Sequence, residues 1–210
     1  MGRLLAVMLV LCAAVSCQGE THAVFSPVPS PSPHTQPTAA ILQSGDVPGG
    51  LNVCLGSGPI DVYLSVLSGA DAALAARESN FWQQLRGGGA LDGAVSVFAA
   101  NPSACTAELA VTSNVKAEAS VVVQFRDEGE AERAWESGAF GFAPPPTGQL
   151  APGLVRGTAT GLGASSFTYD SPSVRLASWR RSVFVALVVV SNLDLNAFHA
   201  ATAAVDPRLN

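Results

Sequence analysis

An α+β fold, a twisted antiparallel β-sheet with about three helices packed mainly on one face, is what the order of elements in this chain predicts. Strand-like stretches come in runs separated by isolated helices, the arrangement of α+β rather than alternating α/β domains. Residues 183–190 are apolar at nearly every position, which predicts a central strand covered on both faces. Residues 120–136 and 184–200 share an internal echo of strand, polar turn and helix with an aromatic near its middle.

Two segments precede that domain. Arg3 supplies a short positive region, and residues 4–15 form an apolar run of about 12, the length of a signal-peptide core. A membrane-spanning helix needs about 20 apolar residues, so the run is too short to remain as an anchor. Directly behind it stands Ala14-Val15-Ser16-Cys17. It resembles the lipobox of bacterial lipoproteins, in which the cysteine is acylated and the chain is cut just before it. Small residues at 14 and 16 also suit ordinary signal peptidase, with Cys17 a bystander. The cysteine count favours lipidation. Cys12 leaves with the leader, so simple secretion strands an odd thiol in an oxidising compartment, whereas acylated Cys17 leaves Cys54 and Cys105 as a disulfide pair. Two or three acyl chains make a stable anchor.

The expected organisation is a signal peptide over 1–16, lipidated Cys17 with a tether over 17–39, and one domain over 40–210. The domain is then held at the cell membrane on its extracytoplasmic side. In the tether, Pro27, Pro29, Pro31 and Pro33 alternate with Ser and Val. This spacing favours polyproline II at about 3.1 Å per residue, a spacer reaching up to ~65 Å. A Pro-x-x-Pro ligand is the alternative use of such a segment.

Within the domain, residues 70–86 predict a helix, with Ser68 as N-cap and Gly87-Gly88-Gly89 as its stop. Residues 60–66 alternate and suit either a strand or an extension of that helix. Residues 94–99, 107–112 and 117–125 read as strands. Residues 128–137 read as a short amphipathic helix with Ala131, Ala134 and Trp135 inward, closed by Gly138. A Gly/Pro-rich loop spans 138–153, and strands follow near 154–160 and 164–169. A hairpin then joins 174–179 to 183–191 through Arg180-Arg181. Asn192 or Asp194 caps a last helix ending near Val205, and Asp206-Pro207 terminates it.

The pattern Gly45-Asp46-Val47-Pro48-Gly49-Gly50, the strand and helix ending at Trp135, the Trp179-Arg180-Arg181-Ser182-Val183 hairpin and the closing Asp206-Pro207-Arg208-Leu209 go together. They resemble a set of exported bacterial domains. More distantly, the chain is similar to the extracellular sensor domains of some bacterial kinases and to PsbP-like lipoproteins. The resemblance implies a fold and a compartment but no reaction.

Composition narrows the function. The chain is 48% hydrophobic and 13% charged, which excludes a disordered polymer. Without Arg3 it carries 10 basic residues against 16 acidic, with Lys116 the only lysine, so no nucleic-acid partner is expected. His199 is the only histidine in the domain, and no Gly-x-Ser-x-Gly elbow accompanies any serine. No zinc set can be assembled, and neither metal nor cofactor is expected. The segment Gly157–Gly163 lacks the lysine of a phosphate loop and reads as a turn. Asp127, Glu128, Glu130, Glu132 and Glu136 read as a solvated helix face favoured by the macrodipole, with a glycosidase-type carboxylate pair as the alternative. The loop Gly138-Ala139-Phe140-Gly141-Phe142 offers two aromatics that either cover the sheet or form a partner contact, which makes Phe140 and Phe142 the candidate contact residues.

The expected function is a lipid-anchored cell-envelope protein that binds or senses without catalysis. Its partners would be the membrane, through Cys17, and an envelope protein or small ligand. Two alternatives stand beside it: an assembly scaffold acting through the 138–146 loop, and a carboxylate-dependent hydrolase of envelope glycans.

Overall fold

The computed structural model describes residues 35–210 apart from 113 and 149; the expected signal peptide, Cys17 and most of the tether lie outside the described residues. The α+β class is as expected, built on an eight-stranded antiparallel sheet. Its strands are β1 (Asn52–Val53), β2 (Gly58–Pro59), β3 (Ala90–Ala99), β4 (Ala117–Phe125), β5 (Leu154–Arg156), β6 (Ser166–Asp170), β7 (Val174–Arg181) and β8 (Phe184–Ser191). The spatial order is β1-β3-β4-β8-β7-β6-β5, with β2 pairing farther along the same edge of β3. Strand β8 lies at the centre and pairs with β4 and β7 over its length.

Five α-helices are present among the described residues, more than expected, and they cover both faces rather than mainly one. Helices α2 (Ile60–Ala70), α3 (Ala72–Gly87) and α4 (Glu128–Ser137) pack on the face of Val121, Val123, Val185, Leu187 and Val189. The opposite face, with Val122, Trp179, Ala186, Val188 and Val190, is covered by α1 (Pro37–Ala40), the following Ile41 and Leu42, and α5 (Leu195–Val205). A strand apolar on both faces requires this: leaving either side wet would expose alternate residues of β8 to water.

Residues 60–66 form part of a helix separate from α3. Asp71, not Ser68, caps α3, accepting hydrogen bonds from the amides of Ala73 and Leu74 at 3.1 and 2.9 Å. Asp127 and Asp194 cap α4 and α5 through the amides of Glu130 and Ala197. Residues 107–112 are not a strand: a 3₁₀ turn spans Glu108–Ala110, with Leu109 buried in the left-handed region at φ 45°. There is no place for them beside the strands they flank, because β1 and β2 take the outer side of β3, and β4 lies between β3 and β8. The strand expected over 154–160 ends at Arg156, and a 3₁₀ turn at Gly157–Thr160 follows.

Candidate functional site

Cys54 and Cys105 form a disulfide with their Cα atoms 5.5 Å apart. It ties the end of β1 to the 3₁₀ turn Pro102–Thr106 that follows β3. Beside it opens a groove of about 420 Å³. Helix α2 lines one side with Tyr63, Val66, Leu67 and Ala70, spaced i, i+3, i+4 and i+7 and therefore one helical stripe. Val53, Cys54 and Leu55 line another side, and Pro102, Cys105 and Thr106 contribute from the turn. Cys54, Tyr63, Leu67 and Ala99 are buried and make the floor, while Val53, Leu55 and Val66 stand 57%, 87% and 42% exposed as its lips. Three exposed aliphatic side chains around one apolar cavity make this the candidate binding surface.

Two acids, buried Glu78 and half-buried Glu108, act on this wall. Glu78 of α3 is buried, and desolvation, reinforced by Glu108, pushes its carboxyl up to about 7. Desolvation, with Glu78 and Glu108 adding to it, raises the Tyr63 phenol to about 12, so the ring stays neutral. Arg77 is committed to an ion pair with Glu108. The groove lining itself carries no ionised side chain.

A second cleft, of about 550 Å³, lies between α5 and the β5–β6 edge and is lined by His199, Phe198 and Thr202 against Val155, Thr168 and Asp170. Its acids already have partners. Asp206 accepts from Trp179 Nε1 at 2.9 Å and from Arg181, and Asp170 pairs with Arg175 at 2.8 Å. His199 is exposed within it, 6.0 Å from the ring of Phe198.

The aromatic loop places its two rings differently. Phe140 is 5% exposed, held in the left-handed region at φ 54°, and packed into the core under α3 and α4; Phe142 is half-buried against the same core. Gly138, at φ 91°, turns the chain so tightly that a Cβ there would meet Ala143 at 2.9 Å. Arg156 then clasps the loop, donating to the Pro145 carbonyl while its guanidinium sits 5.6 Å over Trp135. The loop closes the sheet because two aromatics in water would forfeit about 1.5–3 kcal/mol each.

The acidic helix is likewise not simply solvated. Glu130 is buried and paired with Arg126 at 2.5 Å, its carboxylate lying where a side chain on Gly89 would fall. Glu132 accepts from Ser165 Oγ at 2.9 Å and pairs with Arg180, so this carboxylate ties α4 to β7. Among the described residues, no cluster of three or more His, Cys, Asp or Glu is placed to hold a metal, and no helix is long and apolar enough to cross a membrane.

The two terminal motifs meet. Arg208 makes a bidentate pair with Asp46 at 2.8 Å and donates to the Ile41 carbonyl at 3.1 Å, holding the Asp46 carboxyl below its usual range. Sequence reading missed both this latch and the groove. The groove's signals were the 63/66/67/70 spacing, hidden by the alternation of 60–66, and the aliphatic pair flanking Cys54. No protein-family model, curated protein or solved structure matches the chain.

Proposed function

We propose that this chain is a lipid-anchored protein of the extracytoplasmic cell envelope that binds a small ligand and carries out no catalysis. The observation that supports binding best is the groove beside Cys54–Cys105, apolar in its lining and ringed by exposed Val53, Leu55 and Val66. A disulfide bridging its walls fits an oxidising compartment. Anchoring rests on the Ala14–Cys17 pattern behind an apolar run and on the cysteine count.

Two measurements test this reading. The native protein partitions with membranes, and Cys17→Ser releases it or stalls its processing; a mature N-terminus bearing unmodified Cys17 refutes the anchor. A panel of envelope small molecules is then screened by thermal shift. Ligand at 100-fold over Kd stabilises by about 2.7 kcal/mol, roughly 5–11 °C for a domain of this size. If no compound raises the melting temperature, the binding role is refuted.

A further inference from the structure

Resting on that binding role, we infer that the groove between α2 and the Cys54–Cys105 disulfide takes the aliphatic chain of an uncharged amphiphile. Volume sets the size of the guest. A methylene occupies about the space of a water molecule, ~30 Å³, so 420 Å³ has room for on the order of a dozen carbons. The lining sets its polarity: aliphatic side chains, a disulfide and a neutral tyrosine offer mainly dispersion contacts, with Asn52, Thr106 and the Tyr63 hydroxyl as the few polar groups. The surroundings set its charge. The groove lining holds no ionised side chain, so a charged head finds no counter-charge in it. The exposed lips Val53, Leu55 and Val66 extend apolar contact beyond the cavity, where the upper part of a chain would leave it.

The test uses the full chain carrying Cys17→Ser, so that no acyl group of its own competes. Displacement of the uncharged fluorophore N-phenyl-1-naphthylamine is measured with n-alkyl glucosides of increasing length below their micelle-forming concentrations. Each added methylene should tighten binding about fourfold until the groove is full, near twelve carbons. Ala70→Trp, which fills the groove from an exposed position, and Leu55→Ser, which removes a lip, should each weaken binding at least tenfold with little change in melting temperature. Fatty acids of equal length should compete more weakly.

Fatty acids binding as tightly as the glucosides overturn the uncharged head. Affinity independent of chain length, or unaffected by Ala70→Trp, overturns the chain itself, while the binding role survives if another compound from the thermal-shift panel stabilises the protein. A groove open to the probe in Cys17→Ser but blocked in the acylated protein identifies the occupant as the chain's own lipid and also overturns the proposal.

Discussion

Glu118 sits in the sheet with no ion-pair or hydrogen-bond partner on its carboxyl among the described residues, and replacing it with glutamine should change how stability depends on pH. Its side chain lies on the face covered by α1 and α5, level with Phe98 on β3 and Val190 on β8. It is 0% exposed, and neither carboxyl oxygen has a hydrogen-bond partner among the described residues. Desolvation raises its pKa from 4.5 to about 7. Because the folded value exceeds the unfolded one, the stability contributed by the neutral carboxyl is complete below about pH 4.5 and is lost as pH rises through about 7. A rise of that size corresponds to about 3 kcal/mol by pH 8. Urea unfolding at constant ionic strength, from pH 4.5 to 8, reads this directly. Glu118→Gln should match the wild type within about 1 kcal/mol at pH 4.5 and exceed it by about 2–3 kcal/mol at pH 8. Parallel curves for the two proteins would refute the reasoning, because they would mean that Glu118 ionises in the fold without cost.

Removing the Cys54–Cys105 bridge, which closes a loop of sequence separation 51, should cost about 4 kcal/mol by chain entropy, or roughly 8–16 °C in Tm, measured on Cys54→Ala/Cys105→Ala. An unchanged Tm would show that the unfolded state gains nothing from the lost crosslink. Phe140→Ala should lose about 3–5 kcal/mol in urea unfolding, as expected for an aromatic taken from a core, whereas a loss under 1 kcal/mol would return Phe140 to the surface. The bidentate Asp46–Arg208 pair should show a coupling of about 1–3 kcal/mol in a double-mutant cycle, present above the ordinary aspartate range and lost as pH falls through the lowered pKa of Asp46. A coupling near zero at pH 7 would mean that the C-terminus is held by Leu209 packing and its other hydrogen bonds without help from this pair.

Local pattern in the sequence was enough for the α+β class, the central place of β8, the α4 and α5 boundaries and the pairing of Cys54 with Cys105. Each of these rests on periodicity, on a capping residue next to the element it caps, or on a count, and none needs knowledge of a distant neighbour. Tertiary structure decided the rest. Residues 107–112 have strand composition, yet both sides of β3 and of β4, the strands before and after them, are already paired, so they turn instead. The alternation of 60–66 suits a strand, but helix α2 buries Ile60, Tyr63 and Leu67 and turns Val66 and Ala70 to the groove. Phe140 could be read as core, the favoured reading, or as contact, and the structure turns it at Gly138 to lie under α3 and α4. Glu118 is one polar letter among apolar ones, and only the elements that cover both faces of the sheet make it a buried acid. Asp46 and Arg208 stand 162 residues apart, and only the fold brings their charges to 2.8 Å. Periodicity in a sequence records which side of an element avoids water; what covers that side is a contact between residues far apart in the chain, and no local pattern encodes it.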